Sequence, residues 1–234
     1  VTMESYQTEI ESAENSPLSI MMTELMEIIG RKDIIKQFTK ELKHVRFIPP
    51  YPFDRKGKTA IFWPHVFGQL KSPLLQDKEY EELLVISPFI DDNTLNMLHS
   101  RCQNSRPILI SREYEMDKCA PETLKKWECY MWNSMLEEAS NYEEDETGSN
   151  SIISHGISLH AKIFIAKFRF DGDRYSYNNW FIGSTNCTQA GLKSNYEAQV
   201  QLRSLEQGTS TKEVLNSLLN PDAQILEINS KSGL

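Results

Sequence analysis

Residues 157–168 read ISLHAKIFIAKF, and residues 180–197 read WFIGSTNCTQAGLKSNYE. Both begin or continue as apolar runs rich in β-branched and aromatic side chains, which is typical of buried strands. Polar residues of the kind used in active sites lie at the ends of these runs: His160, Lys162, Ser184 and Asn186. We therefore predict two neighbouring strands that bring these four side chains together.

Side chains alternate between the two faces of a strand. If the first run is a strand from its start, His160 and Lys162 project from the same face, together with Ser158. The residues between and after them are then expected to face the core: Leu159, Ala161, Ile163 and Ile165.

The remainder of the chain alternates between strand-like and helix-like segments. Further strands are predicted in ELLVISPFI (82–90), RPILISRE (106–113) and YEAQVQLRS (196–204). Helices are predicted in DDNTLNMLHSRC (91–102), APETLKKWECYMWNSMLEEA (120–139) and TKEVLNSLLN (211–220). This order predicts an α/β fold, with a mixed β-sheet flanked by helices on both faces.

The domain organisation follows from composition. Residues 1–17 are polar and are expected to form a linker or loose terminus. Residues 18–80 are predicted to be an N-terminal extension, and residues 81–204 the main α/β domain. An acidic loop is expected at 137–151 and a C-terminal helix and tail at 205–234.

The N-terminal extension has two parts. Apolar residues recur at helical spacing up to about residue 43, and Gly30 is expected to divide this stretch into two helices. The segment RFIPPYPFDRKGKTAIFWP (46–64) is so rich in proline that we expect an irregular arm across the surface.

Charge is segregated along the chain. The net charge is −8, but residues 137–146 hold six acids and no base, and the rest of the chain carries only −2. Residues 31–58 hold nine Lys or Arg against three acids. Such a basic face suits a polyanion, although it is equally typical of the solvated face of an amphipathic helix.

The cysteines and the hydropathy indicate a cytoplasmic protein. The four cysteines show no paired spacing and are expected to be reduced thiols: Cys102, Cys119, Cys129 and Cys187. No apolar run is long enough to span a bilayer, and no secretory segment opens the chain, so no membrane partner is expected.

The polar residues of the two runs suit a phosphodiester. Lys162 offers a point charge for a phosphoryl oxygen. Gly183 allows a close backbone turn, while Ser184 and Asn186 offer donors to charge that grows in the transition state. A neutral imidazole such as His160 is a usable nucleophile near pH 7. We see no carboxylate cluster for a metal, and we expect no metal or other cofactor.

These residues resemble the signature of the phospholipase D superfamily, H-x-K-x4-D followed by G-S-x-N. His160 to Lys162 is similar to its first part, Gly183 to Asn186 to its second, and Asn195 to Glu197 to an N-x-E segment that often follows. The resemblance covers roughly residues 81–204. It implies an α/β/α sandwich and a phosphohistidine intermediate formed without metal, with Gly183 and Thr185 beside the bound phosphate.

The chain departs from that signature at position 167, where the acid is replaced by Lys167. Tyrosyl-DNA phosphodiesterases also lack this acid. We expect Glu197 to orient His160 in its place. Lys167 and Arg169 either hold the flanking nucleic-acid strand or are ordinary residues of a solvated strand end.

The superfamily uses two motifs per active site, and this chain contains one. The interpretation we favour is a homodimer whose two His160 residues share one site, one attacking and the other protonating the leaving group. The alternatives are a second motif upstream of Val1 and a module without catalysis.

Single-motif members of the superfamily are mostly nucleases. The resemblance therefore implies a metal-independent nuclease, with DNA favoured over RNA, in a restriction, defence or helicase-linked system. A non-catalytic module that binds nucleic acid or scaffolds a larger complex is the second interpretation, and a phospholipid-cleaving enzyme the third.

Overall fold

The fold is described from a computed structural model of the chain. The residues that it describes are 4–9, 11, 15–48, 53, 61–65, 74, 79–102, 105–132, 143–144, 150–151, 159–169, 176–204, 209–219 and 226–228.

Strands and helices alternate along these residues. The strands are β1 (Glu4–Gln7), β2 (Val45–Ile48), β3 (Ile61–His65), β4 (Glu82–Ile86), β5 (Ile108–Ser111), β6 (Glu128–Trp132), β7 (Glu143–Glu144), β8 (Asn150–Ser151), β9 (Ile163–Arg169), β10 (Ser176–Gly183), β11 (Glu197–Ser204) and β12 (Leu226–Ile228). The helices are α1 (Ser16–Ile28), α2 (Lys32–Leu42), α3 (Asp92–His99), α4 (Glu113–Asp117), α5 (Pro121–Leu124) and α6 (Thr211–Leu218), and a π-helical turn covers Ala190–Ser194.

The main sheet has eight strands in the order β12-β6-β5-β4-β9-β10-β11-β3. Strands β4, β5 and β6 are parallel, and the connections between them carry α3, α4 and α5. All other neighbours in the sheet are antiparallel. The sheet is therefore mixed, which confirms the predicted fold class.

Both faces of the sheet are covered by helices. On β4, Leu83 and Val85 pack into a core that includes residues of α3, α4 and α5. The alternate residues Leu84 and Ile86 pack on the opposite face with Leu215 of α6. A strand buried on both faces needs apolar residues at every position, which explains the unbroken apolar run in this part of the sequence.

The prediction of a helix over residues 120–139 is wrong for most of the residues that the structure describes there. Only Pro121–Leu124 is helical, and Glu128–Trp132 is strand β6. Cys129 packs into the core that holds α3, α4 and α5, and Tyr130 packs into the core on the opposite face of the sheet. A short apolar and aromatic run fits either period, and here pairing with β5 decides in favour of the strand.

Two N-terminal segments are more regular than predicted. Glu4–Gln7, within the expected linker, pairs antiparallel with Val45–Ile48. Ile61–His65, within the expected irregular arm, pairs antiparallel with β11 in the main sheet. Because β3 is the edge strand, Pro64 can be accommodated there without breaking a ladder on both sides. The main sheet thus extends across the boundary predicted at residue 80.

The helical hairpin of the N-terminal extension matches its prediction. Helices α1 and α2 pack against each other and are divided at Gly30, whose φ of 75° lies in the left-handed region that favours glycine. Of the predicted acidic loop, only Glu143–Glu144 and Asn150–Ser151 are described, and they pair as β7 and β8. The rest of that loop lies outside the described residues.

All four cysteines are buried and free, as the sequence predicts for reduced thiols. None of the helices in the described ranges is long and apolar enough to cross a membrane.

Candidate active site

The candidate site lies at one edge of the main sheet, where several strand ends meet. Ile163, at the start of β9, is the register partner of Ile182 near the end of β10 and of Ile86 at the end of β4. The carboxyl end of β5 reaches the same edge because β5 is parallel to β4. Glu197, at the start of β11, also lies at this edge, since β11 runs antiparallel to β10.

His160 and Lys162 precede β9, which begins at Ile163, and are not part of the strand as predicted. His160 is exposed and Lys162 is 8% exposed. Leu159 is buried, but Ala161 is exposed and does not face the core. Strict alternation holds only within a paired strand, which explains why the predicted faces fail before Ile163. Ser158 lies outside the described residues.

The histidine and the lysine nevertheless contact each other. The Lys162 ammonium nitrogen Nζ lies 3.4 Å from Nε2 of His160 and donates a hydrogen bond to the His160 carbonyl at 3.0 Å. An ammonium group has donors only, so a hydrogen bond to Nε2 requires the neutral tautomer that carries its proton on Nδ1. That tautomer has its lone pair on Nε2, where it becomes available for attack only when the ammonium turns away from it.

A second cluster surrounds the Glu197 carboxylate, which is buried. One carboxylate oxygen accepts from the Ser184 hydroxyl, and the other accepts from Nδ2 of Asn195 at 3.2 Å. The Ser184 oxygen in turn accepts from the backbone N–H of Ala198 at 3.1 Å. Glu197 thus fixes Ser184 and Asn195. Its hydrogen bonds within the described part of the chain do not include His160, so its role in orienting that histidine stays a prediction.

Electrostatics join the two clusters through Lys162. Burial lowers the pKa of the Lys162 ammonium, the Glu197 carboxylate partly opposes that change by raising it, and the Arg112 guanidinium lowers it further. The sequence analysis missed Arg112, although it directly follows the buried strand β5. Its Nη2 donates to the Leu159 carbonyl at 2.8 Å, so it also holds the backbone beside His160.

Gly183 is required where β10 passes β11. A Cβ at this position would lie 1.9 Å from the carbonyl oxygen of Ala198, which is a backbone atom that cannot move away without breaking the pairing. The Gly183 N–H donates to the Lys162 carbonyl at 3.3 Å. Gly183 therefore lets the serine loop approach both the lysine and the strand that carries Glu197.

Two residues outside the predicted set hold the loop that follows Gly183. Ser87 accepts from the backbone N–H of Cys187 at 2.9 Å. Asp91 accepts from the N–H of Gln189 at 2.5 Å, while its other oxygen caps α3 by accepting from Thr94 at 2.7 Å. Ser87 directly follows β4 and Asp91 directly precedes α3, so the sequence signals were a polar residue after a buried strand and the capping residue of the next helix.

Thr185 and Asn186 follow Ser184 in this loop. Within the described part of the chain, Oγ1 of Thr185 and Oδ1 of Asn186 are buried without a hydrogen-bond partner. Buried polar atoms are rarely left unsatisfied in folded proteins. These two oxygens are therefore places where water or a bound group would complete the bonding.

The structure does not bring Lys167 and Arg169 to this cluster. Both lie at the opposite end of β9, about 15 Å or more along the strand from Lys162. Lys167 forms an ion pair of 3.0 Å with Glu82, and Arg169 pairs with Glu81. Glu82 also accepts from the Thr211 hydroxyl at 2.5 Å, so Lys167 links β9 to β4 and α6.

The basic helix α2 belongs to a hairpin that contacts the site region. The Tyr196 hydroxyl lies 3.1 Å from both the Met21 carbonyl oxygen and a carboxylate oxygen of Glu24 on α1. The lysines of α2 are exposed: Lys32, Lys36 and Lys40. This arrangement is compatible both with a polyanion contact and with a solvated helix face.

Among the described residues, no three His, Cys, Asp or Glu side chains cluster closely enough to hold a metal ion. No family model and no curated protein matches the sequence. Among solved structures, NucT from Helicobacter pylori is similar over 58% of this chain and 73% of that chain, with 14% sequence identity and a TM-score of 0.30. So low a likeness carries no argument about function.

We predict that Gly183→Ala lowers the free energy of unfolding by about 3 kcal/mol, because the methyl group overpacks against the Ala198 backbone. Denaturant unfolding measures this. Gly30→Ala is the matched control: its position has open space and only the left-handed φ, for which about 1 kcal/mol is expected. Equal costs at the two positions would contradict the assigned role of Gly183.

We also predict opposite changes in the pKa of Lys162 for two neutralising substitutions. Glu197→Gln removes the carboxylate that raises this pKa, so the pKa falls further below its usual value. Arg112→Gln removes a cation that lowers the pKa, so it rises. A pH titration of 15N-labelled lysine side chains measures both, with Lys162→Met assigning the signal. Shifts in the same direction would refute this description of the site.

Proposed function

We propose that the chain is a phosphodiesterase that cleaves nucleic acid through a phosphohistidine intermediate on His160, without a metal ion. The observation that carries this proposal is the contact of 3.4 Å between Nε2 of His160 and the buried Lys162 ammonium. It joins a nucleophile to a cation at the sheet edge where Glu197 fixes the Ser184 hydroxyl.

Each group has a role in the proposed reaction. Nε2 of His160 attacks phosphorus, and a P–N bond forms as the bond to the leaving oxygen breaks. Lys162 and the amide nitrogen of Asn186 stabilise the phosphoryl oxygens as their charge grows, and Ser184 joins them when its hydroxyl proton turns from Glu197 to the phosphate. The leaving oxygen takes a proton from a general acid. Water then attacks phosphorus, gives its proton to the resulting base and releases His160.

We assign the general acid to His160 of the partner subunit in a homodimer. One chain supplies one histidine in this signature context, whereas the reaction needs a nucleophile and an acid at once. A two-fold axis beside an exposed His160 would supply both from one residue type. In the described part of the chain His160 is exposed, so its side chain is accessible before a dimer forms.

Nucleic acid is the substrate class that the surface charge favours. The exposed lysines of α2 belong to the hairpin that contacts Tyr196, next to Asn195 and Glu197. Such cations fix a phosphate backbone without reading its sequence. DNA is favoured over RNA, in the setting of a restriction, defence or helicase-linked system, and a phospholipid substrate is less favoured.

The second candidate is a nucleic-acid-binding or scaffold module without catalysis. It is favoured by Lys167, which lies where the signature has an acid and is engaged with Glu82. Such a module would keep the phosphate-binding edge as part of a larger complex and would not form a covalent intermediate.

We predict that the purified chain cleaves single-stranded circular DNA in excess EDTA, with plasmid DNA as the comparison substrate, and that His160→Ala abolishes this cleavage. His99→Ala, at the end of α3 far from the edge, is the matched control and should retain activity. Quenching the wild type in alkali should preserve a covalent nucleic acid adduct on His160, detected by mass spectrometry. Cleavage that EDTA abolishes, or that survives in His160→Ala, would refute the proposed mechanism.

A mixing experiment tests the shared site. Native mass should be twice the 27.1 kDa of the chain. Wild type and His160→Ala are co-refolded in equal amounts. The activity should then be about one quarter of that of the same total amount of wild type, because only one dimer in four has two histidines. Independent sites would leave about one half, which contradicts sharing.

A further inference from the structure

Two aromatic side chains are exposed at the edge that carries His160. Phe89 is 41% exposed and Tyr114 is 47% exposed, and within the described part of the chain they are the aromatic residues among its large exposed apolar side chains. Phe89 follows β4 and Tyr114 follows β5. Both strands end at the edge described above, although the residues are distant in sequence.

Arg112 connects the two rings. Its guanidinium carbon lies 5.4 Å from the centroid of the Phe89 ring and 5.9 Å from that of Tyr114. Its Nη1 donates to the Tyr114 hydroxyl at 3.0 Å, and its Nη2 donates to the Leu159 carbonyl at 2.8 Å. The cation is thus anchored on the carbonyl that precedes His160, and both rings lie against that cation.

The charge around these rings has no cationic excess, because two cations lie beside three acids of α4. Lys118 Nζ lies 4.6 Å from the Tyr114 ring centroid, but it is paired with the buried carboxylate of Glu115. Glu113 and Asp117 are exposed on the same helix, α4. This group therefore offers aromatic faces and a fixed planar cation, with no local excess of positive charge for a phosphate backbone.

We infer that Phe89, Arg112 and Tyr114 form a stacking surface for a base adjacent to the cleaved phosphate, and that the ligand is single-stranded nucleic acid. Base–aromatic stacking, supplemented by arginine, is how proteins hold single strands without sequence preference. In a duplex the base faces are covered by their neighbours, so exposed rings beside the reacting phosphate discriminate against it. This inference rests on the proposed function for its site and extends it to a substrate class.

Binding of oligonucleotides by the full chain tests the inference. The His160→Ala background prevents cleavage, and fluorescence anisotropy compares a single strand, a hairpin duplex of the same sequence and a single strand with abasic sites. We expect the intact single strand to bind at least about tenfold more tightly than the other two. Phe89→Leu and Tyr114→Leu should each weaken its binding about tenfold and bring it close to that of the abasic strand.

Three controls separate stacking from general damage. Tyr114→Phe keeps the ring and should retain single-strand binding. Ile28→Ala removes an apolar side chain on α1 that is 65% exposed, more than either ring, and should have no effect. Thermal unfolding of every variant shows whether its fold is intact, and Phe89→Trp is the second variant at position 89 that should bind at least as well as wild type.

The outcomes distinguish this inference from the proposed reaction. Equal binding of single strand and duplex, or leucine variants that bind like wild type, would overturn the stacking surface. Binding of a peptide or another partner, with no binding of any of these oligonucleotides, would also overturn the stacking surface. Hydrolysis of ethyl p-nitrophenyl phosphate by the wild type reports the histidine chemistry separately. Ring-dependent binding without that hydrolysis would support the surface while refuting the phosphodiesterase.

Discussion

The antiparallel pairing of β9 with both β4 and β10 is the constraint on which the site depends. Because Ile163 lies opposite Ile86 and Ile182, the chain before β9 must meet the loops after β4 and β10. A shift of one residue in this register would exchange the two cores, since side chains alternate between faces. The apolar packing of the sheet, together with the contacts within the site, therefore determines where His160 and Lys162 lie.

Whether the buried Lys162 side chain is charged depends on the groups around it. Burial and Arg112 both disfavour the charged form of Lys162, and the Glu197 carboxylate favours it. The same carboxylate holds Ser184 and Asn195, so one acid supports both the lysine and the serine loop. An incoming phosphate would add negative charge beside Lys162 and stabilise its ammonium form. Under the proposed function, the groups that surround Lys162 are therefore arranged for an anion before substrate binds.

Sequence patterns predicted the elements that depend mainly on residues close to one another in the sequence. Strands β4, β5 and β9 follow from apolar runs, and β10 and β11 from shorter apolar stretches. The helix predicted over residues 211–220 is α6, and the structure adds the capping pair of Ser210 and Glu213 at its start. Strand β6 and edge strand β3 were missed because pairing with distant strands decides them. Arg112 could not be found either, since its partners Phe89 and Leu159 are separated from it in sequence and meet it only in the folded sheet.

Lys167 shows why a missing signature residue must be judged by its position. It lies at the end of β9 remote from His160, where it pairs with Glu82, and Arg169 beside it pairs with Glu81. At a rise of about 3.3 Å per residue, a side chain at position 167 cannot contact His160 of its own chain. Its replacement by lysine changes how β9 is anchored to β4 and α6, and it leaves the contact of His160 with Lys162 intact. The contacts of His160 and Lys162 are therefore made at the other end of the strand, by residues that Lys167 does not contact.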